Sequence, residues 1–201
     1  MAKEGKNRIL EASFRLFLQK GYKGVSMKDI QEATALSKGA IYHHFASKYD
    51  IYLAVMENHL LALLKQAAGG EHQELSFEDQ IRARYQLLIS LMDYVEEITE
   101  EGYPIRNYFL FQLEGERDGA IRQQIQGAMD MYRQGSHTLV KDAQQKGHIR
   151  ADISAHIIAQ QLMGMIEGLA IHHSSLEKNS KEFLTTTYEE VIGSYLKLIK
   201  A

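Results

Sequence analysis

Three serines close together constrain the fold of this chain more than any other feature. They fall within 22 residues and are Ser26, Ser37 and Ser47. A serine can accept a hydrogen bond from a backbone N–H in the first turn of the helix that follows it, and an acidic residue three positions later strengthens that start. Asp29 and Asp50 have this spacing. The pattern predicts three helix starts, with helices over residues 27–35, over 38–45 and from 48 onward, and no strand in this segment.

The second of these helices combines a polar surface with an apolar body. Its outward residues are expected to be Lys38, Tyr42, His43 and His44. Ile41 and Phe45 would form a small core with Ile30 of the preceding helix. Gly39 has no side chain near the helix start, which suits a backbone that approaches another surface closely. Two short helices joined by a tight turn, the second with such a surface, are typical of a helix-turn-helix that reads the DNA major groove.

The same segment resembles the N-terminal domain of the TetR family of bacterial transcriptional regulators. The resemblance rests on three stretches, I-L-E-A-S-F-R-L-F-L-Q-K-G-Y (9–22), S-M-K-D-I (26–30) and L-S-K-G-A-I-Y-H-H-F-A-S-K (36–48). It implies an all-α fold, in which a three-helix DNA-binding head precedes a larger helical body that binds an effector and forms a homodimer. Ala40 stands where the family often has Thr or Ser, so one possible hydroxyl contact is missing.

The resemblance also implies roles for residues of the head. The implied DNA-binding set is Ser26, Lys38, Gly39, Ala40, Tyr42, His43, His44 and Lys48. Base and nearby backbone contacts are expected around Lys38, Gly39 and His43. Phosphate contacts are expected from Tyr42 and Lys48, with His44 as a further candidate. Ser26 would cap a helix whose N-terminus faces a phosphate.

Helical periodicity continues through the rest of the chain. It predicts helices over residues 48–67, 77–101 and 105–113, a further one ending near 147, one from Asp152 or Ser154 to 176, and a last one over 181–200. Together with the head, this gives about nine helices. The single proline, Pro104, follows Gly102 and Tyr103 and predicts a break there. We place a DNA-binding domain at residues 1–47 and an effector-binding and dimerisation domain at 48–201.

Charge is divided unevenly along the chain. The net charge is −3, but residues 1–50 contain nine basic and five acidic side chains, whereas residues 51–201 contain 14 and 21. A basic head on an acidic body suits a protein that contacts phosphates with one end. Cysteine is absent, which excludes disulfides and thiolate chemistry. No apolar run approaches the roughly 18 residues of a membrane span, and no signal core follows the N-terminus. We therefore expect a cytoplasmic protein without a membrane partner.

The break at residues 102–104 is the second candidate site. Irregular backbone between a long and a short helix leaves space that packing does not fill, and aromatic and methionine side chains line adaptable apolar pockets. We predict a ligand pocket lined by Tyr85, Met92, Tyr103, Tyr108, Phe109, Met129 and Met163. Such residues at helical spacing also form ordinary core. The family resemblance favours the pocket, because similar proteins bind a small effector in the body.

The last two helices are the predicted dimer interface. The penultimate helix is apolar on more than one side, and Gly164 and Gly168 allow close helix approach. The predicted interface residues are Met165, Leu169, Phe183, Tyr188, Ile192 and Tyr195. Two such helices from each subunit would form a four-helix bundle. The alternative is a fully buried helix within a monomer.

The sequence therefore predicts a ligand-responsive regulator, most simply a repressor that binds a near-palindromic operator as a homodimer and is released by a small apolar or amphipathic effector. An alternative is a helical protein-interaction or membrane-surface module, although the helix over 38–45 is too short and polar for that role. An enzyme is not expected, because the His43-His44 and His172-His173 pairs lack metal-ligand spacing and no phosphate loop or nucleophile elbow is present. No metal or cofactor is predicted.

Overall fold

The computed structural model describes residues 2–68, 74–99, 104–173 and 180–201, and within these ranges the chain forms nine helices and no strand. The helices are α1 (Ala2–Gly24), α2 (Met27–Thr34), α3 (Lys38–His44), α4 (three continuous segments, Lys48–Met56, Glu57–Leu61 and Ala62–Ala68), α5 (Phe77–Thr99), α6 (Pro104–Gly115), α7 (Gly119–Gln145), α8 (Ala155–His173) and α9 (Ser180–Ile199). The prediction of an all-α chain with about nine helices is confirmed.

All three serine caps of the head are present. The backbone N–H groups of Asp29, Ala40 and Asp50 donate to the Oγ atoms of Ser26, Ser37 and Ser47 at 3.2, 3.2 and 3.1 Å. Ser26 and Asp29 form a full capping box, since the Ser26 N–H donates to the Asp29 carboxylate at 2.7 Å. Helices α2 and α3 begin where the sequence predicts and end one residue earlier.

The head is held together by a small core. Ile30 of α2 and Ile41 and Phe45 of the α3 region are buried, as predicted, against α1. Helix α1 breaks at Gly21, whose φ of 67° lies in the left-handed region that glycine adopts without strain. This break turns the chain toward α2 and fixes the angle between the two helices.

Helix α4 leaves the head and runs into the body with an unpredicted feature. Its middle segment, Glu57–Leu61, is π-helical, so that one extra residue is accommodated within the turn. Leu60 and Leu61 are both buried there, although adjacent residues of a regular helix diverge by about 100°. The same holds for Val55 and Met56 in the preceding turn, so α4 is buried on more than one side as it enters the body.

The body is a bundle in which α7 packs on the end of α4 and on α8, while α9 packs on α5. Helix α6 lies against both α5 and α1, and so contacts body and head together. Helix α8 begins after Ser154 rather than at Asp152, whose carboxylate is paired with Arg150 at 2.5 Å. The predicted break at residues 102–104 lies largely outside the described residues, with α5 ending at Thr99 and α6 starting at Pro104.

Candidate DNA-binding surface and effector cavity

The open face of α3 carries most of the predicted DNA-binding residues. Lys38, Gly39, Tyr42 and His43 are exposed, and Ala40 is half-buried beside them. The Lys38 ammonium lies 5.8 Å from the centroid of the Tyr42 ring, so a cation and an aromatic ring occupy one patch. A Cβ built on Gly39 would meet nothing within 4 Å, which shows that packing inside the protomer does not require a glycine there.

His44 is placed differently from its neighbours. It is half-buried, and a Cβ built on Gly5 of α1 would lie 3.1 Å from its Nε2 atom. Its ring is tilted by 66° against that of His43, with 5.2 Å between the centroids. His44 therefore packs beside the start of α1, at the edge of the α3 face.

Lys48 forms hydrogen bonds with the end of α1 and with the loop between α1 and α2. Its ammonium donates to the carbonyl oxygens of Tyr22 and Val25 at 2.8 and 2.6 Å, and lies 4.2 Å from the centroid of the Tyr22 ring. An ammonium group has three donors, so one N–H remains after these two bonds. The structure thus gives Lys48 a structural role that the sequence did not suggest, and its phosphate contact stays a prediction.

Ser26 is committed to the capping box of α2. Hydrogen bonds from the Ser26 side chain and backbone, followed by one from Lys20, lower the pKa of Asp29 to about 2. The cap is exposed, and it orders the N-terminal turn of α2 next to the loop that Lys48 holds. Two of the predicted phosphate-facing residues, Ser26 and Lys48, are therefore fixed by hydrogen bonds within the head.

A cavity of about 190 Å³ lies in the body between α4, α5, α6, α7 and α8. Its apolar wall includes Leu60 and Leu64 of α4 and Leu87 and Leu88 of α5. Three of the predicted pocket residues, Tyr108, Phe109 and Met129, line it. A largely apolar cavity of this kind, partly open to solvent, suits a small molecule.

The other predicted pocket residues do not line this cavity. Tyr85 and Met92 are buried on another face of α5, where the Tyr85 ring lies 5.2 Å from that of Tyr188 of α9. Met163 is buried one turn before Ile166, the first residue of α8 in the cavity wall. Tyr103 lies outside the described residues. Periodicity identifies an apolar face but not the helix it meets, and a ligand contact of Tyr85, Met92 and Met163 stays a prediction.

Sequence reasoning missed the polar residues of the cavity, which are Arg84, Gln112, Tyr132 and Glu167. Two of them could have been identified from the sequence, because they depart from the apolar pattern of their helices. Arg84 interrupts the apolar stripe of α5 between Ile81 and Leu88, and Glu167 is the single acidic residue of α8. Burial lowers the pKa of Arg84 and raises the pKa of Glu167.

Helix α6 connects the cavity to the head. Tyr108, Phe109 and Gln112 of this helix line the cavity, and the next turn carries Glu114. The Glu114 carboxylate accepts a hydrogen bond of 2.7 Å from the backbone N–H of Tyr22, immediately after the break in α1. One short helix therefore contacts both the cavity and the head.

The outer faces of α8 and α9 leave several apolar side chains and two glycines uncovered in the protomer, among polar residues such as Gln160 and Glu190. Ile157, Val191 and Leu198 are exposed, and Cβ atoms built on Gly164 and Gly168 would meet nothing within 4 Å. Of the predicted interface residues, Met165, Leu169, Phe183 and Tyr195 are half-buried. Tyr188 and Ile192 are instead fully buried within the protomer, where Tyr188 donates to the Ile166 carbonyl at 2.5 Å. These two residues support the face from behind and do not form its surface.

Comparison with known proteins agrees with this architecture. Residues 9–55 match the family model "Bacterial regulatory proteins, tetR family", and residues 114–186 match the model "Tetracyclin repressor-like, C-terminal domain". The HTH-type transcriptional regulator UidR of Escherichia coli is 26% identical over 172 residues, which cover 84% of this chain and 81% of UidR.

Solved structures show the same fold. A TetR-family regulator from Cytophaga hutchinsonii superposes with a TM-score of 0.65 at 21% identity, covering 100% of this chain and 96% of that one. A putative transcriptional regulator from Saccharomonospora viridis, solved in complex with choline, gives a TM-score of 0.64 at 25% identity, covering 94% and 97%.

The chain belongs to the TetR family and is a DNA-binding transcriptional regulator. Its relatives are regulators and not enzymes. Within the described part of the chain, no helix combines the length and the apolar character that crossing a membrane requires.

Proposed function

We propose that this protein is a ligand-responsive repressor, which binds a near-palindromic operator as a homodimer in the bacterial cytoplasm and is released by a small apolar or amphipathic effector. The observation that carries the proposal is the connection through α6. Its residues Tyr108 and Phe109 line the cavity, and its Glu114 bonds the head at Tyr22. The likeness to a repressor-type C-terminal domain and to a choline-bound regulator supports the proposal.

In the proposed mechanism, an effector fills the cavity and displaces α6. Movement of α6 would draw Glu114 away from the Tyr22 N–H and release one restraint on the angle between head and body. Helix α4, which also lines the cavity, would transmit the same displacement to the start of the head. An effector can shift this equilibrium only by as much as its affinities for the two conformations differ.

Selection of bound fragments from random double-stranded DNA, at a stated salt concentration, tests the proposal. The expected product is a near-palindrome whose half-sites are separated by about 10 base pairs, since two recognition helices must reach successive major grooves. Loss of reporter-gene expression from a promoter that contains this site would establish repression. Salt-sensitive binding without an enriched sequence, or binding to lipid vesicles in place of DNA, would contradict the proposal.

Replacement of Lys38 by alanine is expected to weaken operator binding about tenfold, because the ammonium is exposed and the proposed recognition helix would bring it to the DNA. The measurement is the dissociation constant by fluorescence anisotropy over a range of salt concentrations. Lys141→Ala is the matched control, since it also removes an exposed positive charge, from the C-terminal part of α7 in the body. Equal effects of the two substitutions would show that only the total charge matters and would remove Lys38 from the interface.

Replacement of Gly164 by leucine is expected to raise the dimer dissociation constant at least about tenfold, because a side chain there prevents close approach of the partner helix. Sedimentation velocity over a dilution series gives this constant. Gly127→Leu is the matched control, because Gly127 is also exposed in a helix interior and has no neighbour within 4 Å of a built Cβ. Leucine favours helix over glycine, so a loss of folding is not expected in either variant. An unchanged constant in Gly164→Leu would place the dimer contact elsewhere.

A further inference from the structure

A positively charged side chain lies in the wall of the cavity without a counter-ion. The Nε atom of Arg84 is buried and has no hydrogen-bond partner, while one Nη atom donates to the Gln80 carbonyl of its own helix at 3.0 Å. None of the ion pairs found within the described residues involves Arg84. The guanidinium therefore has an unused donor in a largely apolar environment.

An unpaired arginine in such a place has a physical cost. A guanidinium stays charged under all ordinary conditions, so it cannot relieve its burial by losing a proton. Burying a charge without a partner is unfavourable, and a carboxylate that matches the planar fork of the guanidinium removes this cost through two parallel hydrogen bonds. The free cavity is thus complementary to an anionic group.

The surroundings of Arg84 fit a molecule with one polar end. Arg84 lines both the apolar cavity and a neighbouring cleft of about 690 Å³. The wall of the cleft is polar and contains charges of both signs, on Lys65, Lys146, Glu74 and Asp142. The Tyr108 hydroxyl, on a residue only 2% exposed, has no hydrogen-bond partner and offers a further donor to a ligand in the cavity. A ligand can therefore hold its polar end at the boundary while an apolar chain enters the cavity.

Glu167, the acidic residue of the cavity, needs an oppositely charged ligand less than Arg84 does. Glu167 can neutralise itself by taking up a proton, and burial, by raising its pKa, favours that neutral form. The positive charge of Arg133 of α7 also stabilises the ionised form of the Glu167 carboxyl group. Arg84 has neither of these means of compensation, so the cavity favours an anion over a cation.

We propose that the effector is a carboxylate-bearing amphiphile, whose carboxylate pairs with the Arg84 guanidinium and whose apolar chain fills the cavity between α4, α5, α6, α7 and α8. This inference rests on the proposed regulatory function, since it identifies the chemical class of the ligand that releases the operator. Arg84 is then the residue that determines the specificity of the cavity for an anionic group.

Isothermal titration calorimetry of the unaltered protein with three probes of equal chain length tests this inference. The probes are decanoate, decanol and decyltrimethylammonium, each used below the concentration at which it aggregates. Decanoate is expected to bind at least about tenfold more tightly than the other two. Tightest binding of decyltrimethylammonium, abolished by Glu167→Gln and unaffected by Arg84→Met, would overturn the inference in favour of a cationic effector.

Arg84→Met keeps an unbranched apolar stem and removes the guanidinium with its charge, and it is expected to weaken decanoate binding at least about thirtyfold while leaving decanol binding unchanged. Arg84→Lys keeps the charge without the planar fork, so an intermediate loss is expected. Arg82→Met is the matched control, because it removes an exposed arginine from the same helix. Equal losses in Arg82→Met and Arg84→Met would overturn the inference. So would a parallel loss of decanol binding.

A second readout separates this inference from the proposed function. The same preparations are tested for binding to the selected operator fragment with and without decanoate. Operator binding by a protein that binds none of the three probes would refute the carboxylate assignment and leave the regulator intact. Arg84-dependent decanoate binding that does not weaken operator binding would refute the release mechanism and leave the binding site intact.

Discussion

Alanine at Gly135 is expected to destabilise the protein by about 2 kcal/mol, whereas alanine at Gly127 is expected to stabilise it by up to about 1 kcal/mol. Both glycines lie in the interior of α7. A Cβ at Gly135 would lie 2.4 Å from the carbonyl oxygen of Ala68, while a Cβ at Gly127 would meet nothing within 4 Å. A backbone oxygen cannot rotate away as a side chain does, so the end of α4 and α7 would have to separate.

Urea unfolding of the two variants at equal protein concentration gives the difference, which we expect to be about 3 kcal/mol in the free energy of unfolding. Equal concentration matters because association of subunits contributes to the measured stability. Because the same substitution is made twice in one helix, differences in helix propensity cancel. Equal stabilities for the two variants would show that α4 does not approach α7 as closely as described.

The separation of α4 from α7 has a functional consequence. Helix α4 starts at Lys48, whose ammonium holds the carbonyls of Tyr22 and Val25 in the head. A displacement of α4 at its Ala68 end therefore changes the orientation of the head relative to the body. We expect folded Gly135→Ala protein to bind the operator more weakly, and Gly127→Ala protein to bind it as the unaltered protein does.

Much of the head could be predicted because its structure is decided locally. Each of Ser26, Ser37 and Ser47 caps the helix that directly follows it, and the bonds span only three residues. The break at Gly21 is local as well, since glycine adopts a positive φ without strain. Local chemistry of this kind can be read from neighbouring letters of the sequence.

The cavity could be predicted only in part, because it depends on which helices meet. Tyr108 and Phe109 line it, while Tyr85 and Met92, which have the same apolar character, are buried elsewhere, Tyr85 against Tyr188 of α9. The stronger signal was a charge on an apolar stripe, and Arg84 provides it.

The π-turn of α4 could not be predicted, because it depends on contacts with residues that are distant in sequence. His59 lies in this turn, and its ring stacks on Phe14 of α1 with 3.9 Å between centroids and 9° between planes. Phe111 of α6 meets the same Phe14 ring edge-on at 5.4 Å. Three helices from head and body therefore meet at one aromatic cluster, and no local pattern in the sequence specifies that meeting.

Lowering the pH from 7 to 4 is expected to reduce the free energy of unfolding by about 3 kcal/mol through His59 alone. Burial lowers the pKa of His59 from 6.5 to about 4. Between these values the unfolded chain binds a proton that the folded protein does not, so protons favour unfolding. The stability that neutral His59 contributes is fully present above pH 6.5 and is lost as the pH falls toward 4.

Asp29 and Glu167 also have shifted pKa values, but their contributions to stability between pH 7 and 4 differ from that of His59. Asp29, whose pKa is lowered to about 2, loses its contribution only below 3.8, under the range that His59 affects. Glu167 has the opposite sign, because its raised pKa stabilises the folded protein at low pH and that contribution disappears as the pH rises. The total curve therefore understates the effect of His59, and a difference between two proteins is needed.

His59→Phe supplies that difference, because phenylalanine keeps a ring against Phe14 and removes the titrating nitrogens. Urea unfolding at several values between pH 7 and 4 should show the unaltered protein losing about 3 kcal/mol relative to the variant. All other groups titrate alike in the two proteins and cancel. Parallel curves would mean that protonated His59 is accommodated at the junction of head and body. A π-turn that can accept a charge would then be a looser contact than its packing against α1 implies.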